Sequence, residues 1–160
     1  MMVYFAIHFL PGVVLAVLFI GIFMVLKAKQ PDNTPYKAAV GLALMSAFLL
    51  FWVNGAVGII GTAEDDINMM YNGVLAIGLV SAIVARFRPD GMTGALFVTA
   101  SAQALTAVIA LIAGMHHHPG SSLLEILVLN GFFVLLFVGS ALLFRQAARK
   151  ESSVGAGTEG

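Results

Sequence analysis

Long apolar runs alternate with short polar connections along the chain, at residues 3–26, 38–61, 67–85, 93–114 and 123–144. Each is close to the roughly 20 residues that cross a ~30 Å hydrocarbon layer at ~1.5 Å per residue. None alternates polar and apolar residues as a barrel strand does, and in lipid only helices and closed barrels satisfy every backbone group. The pattern predicts an all-α integral membrane bundle of five transmembrane helices. It forms one domain over residues 1–150, with no internal repeat, and the Gly- and Ser-rich residues 151–160 are expected to be a disordered tail.

The third run is the weakest, because Asn68, Tyr71 and Asn72 occupy its first turns. Charge placement nevertheless supports it as a span. The 8 basic residues fall in three places: Lys27, Lys29 and Lys37; Arg86 and Arg88; and Arg145, Arg149 and Lys150. The second connection carries Glu64, Asp65 and Asp66, the fourth His116, His117 and His118, and neither has a Lys or Arg. Five spans put every basic residue on one face, which the positive-inside rule makes cytoplasmic, with the N-terminus outside and the C-terminus inside. The first run reads as an anchor, not a signal peptide, since Lys27 and Lys29 follow its apolar core and no charge precedes it.

Composition agrees. At 60% apolar and 10% charged residues, with a mean hydropathy of +0.99, a water-soluble globule would expose large apolar patches. No basic tract suggests nucleic acid as a partner. The absence of cysteine excludes disulfides, thiolate metal sites and thiol catalysis.

Small residues mark packing faces. Ala95, Thr99, Ala102, Gln103, Thr106, Ala110 and Ala113 form a stripe at helical spacing on the fourth span, which is expected to be central. Gly55, Gly58 and Gly61 are expected to form a smooth edge on the second.

Intramembrane polar groups are the candidates for chemistry, because an amide or imidazole facing lipid is costly. His8, Asn54, Asn72 and Asn130 each lie about 7 to 12 Å in from the proposed outer ends at the helical rise. With Gln103 slightly deeper and Tyr71 and Trp52 nearby, they suggest a polar ligand-binding pocket open to the outer face, in which His8, Asn54, Asn72 and Gln103 converge. The alternative is that the amides fix helix packing by hydrogen bonding between spans.

The outer loops hold a second candidate. His116, His117, His118 and Glu125 place imidazole and carboxylate on one side of the membrane, a donor set suited to a divalent metal. Each group also has an ordinary explanation: Ser122 with Glu125 is spaced as a capping box, and Thr62 with Asp65 as a weaker one. Haem is disfavoured because His8 alone is clearly within a span. Hydrolase and phosphate-loop signatures are absent, and an enzymatic role is the least supported class.

The stretch from Trp52 to Gly61, WVNGAVGIIG, followed by an acidic turn and Asn68-Met69-Met70-Tyr71, resembles a segment of small bacterial multipass inner-membrane proteins. The resemblance covers about the middle third of the chain. It implies a bacterial cytoplasmic membrane and carries no activity. Three function classes follow: a protein that binds a small ligand or helps transport it through the outer polar pocket, a structural or assembly subunit of a homo-oligomer or larger membrane complex, and a metal or redox protein of the outer face.

Overall fold

The second expected span begins earlier than its apolar run, because Asn33-Thr34-Pro35 is a helix start: a capping amide followed by proline in the first turn. In the computed structural model, which describes residues 19, 22, 23, 32–62, 65–117, 119 and 121–158, Asn33 Oδ1 accepts the Tyr36 N–H at 3.2 Å. The helix that follows, α1, spans Thr34–Ala56; α2 spans Met69–Val84, α3 Pro89–Ile112 and α4 Leu123–Thr158. One-turn 3-10 segments lie at Asp66–Asn68 and Met115–His117, and no strand occurs among the described residues. With its 3-10 lead-in counted to α2, each of the four is long and apolar enough to cross a membrane. They are the second to fifth expected spans. The first, residues 3–26, lies outside the described residues except for Phe19, Ile22 and Phe23, which are helical.

Two boundaries depart from expectation. α1 stops at Ala56, where the N–H groups of Val57 and Gly58 both bond back to the Val53 carbonyl, at 3.0 and 3.2 Å. Gly58 and Gly61 then take φ of 82° and 67°, a left-handed backbone that glycine adopts without steric cost. They shape a loop and do not extend a helix edge from Gly55.

α4 continues through Arg145 and into the residues expected to be a disordered tail, as far as Thr158. Ala147, Ala148 and the charged residues around them are good helix formers. Ser152 and Ser153 turn their hydroxyls back onto the carbonyls of Ala148 and Lys150, at 3.1 and 2.8 Å. The start of α1 holds this extension: Asn33 Nδ2 donates to the Ala147 carbonyl at 3.2 Å, and Lys150 Nζ to the Asp32 carbonyl at 2.9 Å.

The helices pack in an arc in the order α1, α4, α3, α2. α4 contacts both α1 and α3, α2 leans on α3, and α1 and α2 touch little. The seam on α4 advances in alternate steps of four and three through Ile126, Asn130, Phe133, Phe137, Ser140, Phe144 and Ala147, all buried; this spacing keeps one stripe facing its neighbours. α3 is the most buried helix, as its small-residue stripe predicts: Ala95, Thr99, Gln103, Thr106 and Ala110 are all inside. Ala102 is half-buried and Ala113 exposed at the helix end.

The faces turned outward are apolar. Val84, Ile112 and Leu135 are 77%, 82% and 72% exposed, an arrangement costly in water and natural against lipid.

The reversal between α2 and α3 is tight. Arg86 and Phe87, with φ of 52° and 56°, are consecutive non-glycine residues in the left-handed region, a conformation that costs of order 1 kcal/mol or more for each and persists only where surrounding contacts enforce it. Tyr36 supplies one such contact, its hydroxyl donating to the Phe87 carbonyl at 3.0 Å. Gly91 permits the close return, since a Cβ there would lie 2.8 Å from Ala85 Cβ.

Candidate functional site

The polar residues of the expected outer layer separate into two hydrogen-bonded groups and one outlier. In the first group, Asn130 on α4 is the hub. Its Oδ1 accepts the Tyr71 hydroxyl of α2 at 3.1 Å and Gln103 Nε2 of α3 at 2.9 Å, while its Nδ2 donates to the Ile126 carbonyl one turn back, at 2.8 Å. All three side chains are essentially inaccessible. One amide thus joins three helices at a single depth.

The second group is built on Asn68, which is buried at the foot of α2. Its Oδ1 accepts the N–H groups of Ile59 and Ile60 at 3.2 and 3.1 Å, and its Nδ2 donates to the carbonyls of Ile60 and Thr62 at 2.9 and 2.7 Å. A single side chain therefore satisfies the backbone of the loop that buries Ile59 and Ile60. Asn54 belongs here, donating to the Asn68 carbonyl at 3.0 Å. The Gly61 N–H donates to the Ser121 hydroxyl, tying this loop to the one before α4.

Asn72 is the outlier. It is exposed and stands on another face of α2 from the buried Tyr71, and it takes no part in the hydrogen bonds of Asn54 and Gln103. A helix turns about 100° per residue, and adjacent positions cannot both face the same neighbour. Trp52 is exposed and stacks on Phe48, with ring centroids 5.9 Å apart. His8 lies outside the described residues. The carbonyl oxygens of Asn54 and Gln103 are buried with no protein donor.

The histidine loop brings two rings together: His116 and His117 have centroids 3.8 Å apart with their planes tilted by 47°. Glu125 is exposed at the first turn of α4, where its N–H donates to the Ser122 hydroxyl at 3.1 Å. Asp65 Oδ2 accepts both the N–H and the hydroxyl of Thr62, at 2.6 and 3.0 Å. The Ser122–Glu125 bond is one half of the capping box read in the sequence, whereas the Thr62–Asp65 bonds close a loop turn, and Asp65, the N-cap of the 3-10 segment, makes no side-chain capping bond. His118 lies outside the described residues, and among those described no three His, Asp or Glu side chains come together as a metal-ligand set.

A further feature is one that the polar residues did not announce. Where the arc leaves α1 and α2 apart, an apolar cavity of about 350 Å³ runs between them. α1 lines it from Val40 to Phe51, α2 from Asn72 to Ala82, and Met92, Leu96 and Thr99 of α3 form its floor. Phe137 and Phe144 of α4 close it behind, and Phe19 and Ile22 stand across from them. Among the described residues its polar lining is confined to Asn72 and Thr99, and the Thr99 hydroxyl is turned back onto the Ala95 carbonyl at 2.8 Å. Asn72, Ala76 and Leu79, spaced along one face of α2, both line the hollow and are exposed, so it opens sideways. Small side chains make the room: Ala43, Ala47, Ala76, Gly78 and Ala82.

The fold and site define a class: an all-helical protein with four membrane-length apolar helices and a laterally open apolar cavity. No family model matches the chain, and no curated protein or solved structure is detectably similar to it.

Sequence reasoning passed over Asn68, Asn33, Tyr36 and the cavity. Asn33 was legible as a cap before Thr34-Pro35. The cavity was not, since alanine on a helix face reads equally as close packing or as empty space.

Proposed function

We propose that the protein is a multipass protein of a bacterial cytoplasmic membrane that holds a membrane-soluble ligand in the cavity between α1 and α2. Residues 3–26 form a fifth span in this reading, with the N-terminus outside and the basic end of the bundle in the cytoplasm. The observation that carries it is the cavity itself: about 350 Å³ of sideways-opening, almost wholly apolar space, within the roughly 300–1,000 Å³ of small-molecule sites. The amides of Asn54, Gln103 and Asn130 then serve packing, and a ligand enters from the lipid side past Asn72, Ala76 and Leu79.

The absence of cysteine makes the topology simple to test. A single cysteine at Thr62 or His117 should react with a membrane-impermeant maleimide in intact cells, and one at Arg88 should not; labelling at Arg88 overturns the orientation. For the ligand, a pyrene-labelled acyl probe should bind the purified protein and should be excluded by Ala76→Trp. Equal binding by both would remove the cavity from the function.

A second reading, an assembly subunit, is favoured by the face of α2 bearing Gly73, Ile77, Val80 and Val84, which is exposed. Crosslinking in native membranes through a cysteine at Val80 would give a discrete higher-mass species in that case.

A further inference from the structure

We propose that the ligand is an anionic phospholipid, with one acyl chain along the cavity and its phosphate held by Arg86 and Arg88 at the cavity's basic end; this rests on the cavity reading above.

Shape is the first argument. From Asn72 to Ala82 the cavity follows α2 for about 15 Å at ~1.5 Å per residue, close to one leaflet's share of the ~30 Å hydrocarbon layer. A long, narrow, apolar hollow parallel to the helices suits an alkyl chain better than a compact ring.

The second argument concerns what could retain such a chain. A tail that leaves the bilayer for the cavity gains no hydrophobic free energy, because lipid tails are as apolar as the lining. Retention and selectivity must come from packing and from the head group. Phe87 marks where the head group would lie: it lines the cavity at the basic end, and Arg86 and Arg88 flank it, both exposed. The left-handed pair Arg86 and Phe87 creates this placement, turning Phe87 in towards the cavity between two arginines that remain outside.

Charge is the third. The basic end of the described structure carries Lys37, Arg86, Arg88, Arg145, Arg149 and Lys150 against Asp32, Asp90 and Glu151, and such an excess attracts anionic lipid. Among the described residues no carboxylate pairs with Arg86 or Arg88. A guanidinium presents a planar fork of donors matched to phosphate oxygens, and charge-assisted bonds of this kind are among the stronger polar contacts.

The test is competition between dioleoyl phosphatidylglycerol and dioleoyl phosphatidylcholine for the full purified chain, read by native mass spectrometry. Wild type should retain the anionic lipid about tenfold over the zwitterionic one, because both offer a phosphate but the choline cation of the zwitterionic lipid is repelled by the two guanidiniums. The double variant Arg86→Gln with Arg88→Gln should lose this preference while still retaining both lipids. Ala47→Trp, which fills the cavity, should lose retention of both; Leu79→Trp, at the exposed mouth, serves the same purpose if Ala47→Trp fails to fold. Equal retention of the two lipids by wild type, or a preference unchanged in the arginine variant, overturns the head-group proposal and leaves the cavity standing. Undiminished retention by a folded tryptophan variant overturns the cavity itself.

Discussion

The two helix seams α3–α4 and α1–α2 are made of the same kinds of residue, yet one is closed and the other holds a cavity. Along α3–α4, α3 buries small residues such as Thr106 and Ala110, α4 buries aromatic ones such as Phe133, and Gln103 with Asn130 fixes the pairing at one depth. Along α1–α2, small residues line the hollow from both sides, Ala43 and Ala47 from α1 and Ala76 from α2, and among the described residues no hydrogen bond joins the two helices themselves, although Asn54 reaches the Asn68 carbonyl just before α2. Small residues permit close approach without enforcing it. In lipid, where no hydrophobic driving force brings helices together, closure needs a complementary ridge or a polar bond.

The sharpest way to break this contrast lies in the tight places. Gly91→Ala puts a methyl within 2.8 Å of Ala85 Cβ and 3.0 Å of its Cα, so the reversal between α2 and α3 must open. The expected loss is about 2–3 kcal/mol, measured as a shift in unfolding midpoint in detergent micelles. A midpoint equal to wild type would show that the reversal is slack.

Asn68→Ala removes four hydrogen bonds to the loop over residues 59–62. A loss of about 2–3 kcal/mol is expected, with fast hydrogen exchange confined to Ile59 and Ile60. Protection unchanged at those amides would contradict the role given to Asn68.

The polar lock of the closed seam should yield smaller, unequal effects. Asn130→Leu strands both Tyr71 and Gln103 and should cost about 1–2 kcal/mol, the usual worth of interhelical polar contacts. Gln103→Leu removes one bond but also a buried acceptor without a donor, so its cost should be below about 1 kcal/mol. A reversed order of the two would place the hub on α3.

In the open seam the sign should change. Ala47→Leu adds apolar volume to empty space and should be neutral or stabilising by up to about 1 kcal/mol, whereas Gly78→Leu, whose Cβ would lie 3.1 Å from Thr99 Oγ1, should destabilise. If both destabilise alike, the two sides of α2 are equally filled and the contrast between seams disappears.

Part of the polar network was legible in the sequence. Tyr71, Gln103 and Asn130 were picked out by their rarity in apolar runs, and they do lie together. Asn72 was picked out for the same reason and stands apart, because depth along a helix can be counted while its rotation about the axis depends on which neighbour it meets. Asn68 looked like a defect in a weak span and is the residue on which a loop is built; its four partners are backbone groups, which leave no mark in the sequence.

The sequence by itself determined the all-helical class, the presence of four apolar helices of membrane-spanning length, the Ser122–Glu125 cap, and the central place of the helix carrying Thr99 and Gln103. These follow from local periodicity and from the cost of leaving backbone groups unsatisfied in lipid. Only the tertiary structure decided that α4 runs on to Thr158, held by the start of α1, and that the arc of helices leaves α1 and α2 apart. Those outcomes depend on which side chains meet across the bundle, since small residues permit close approach without enforcing it.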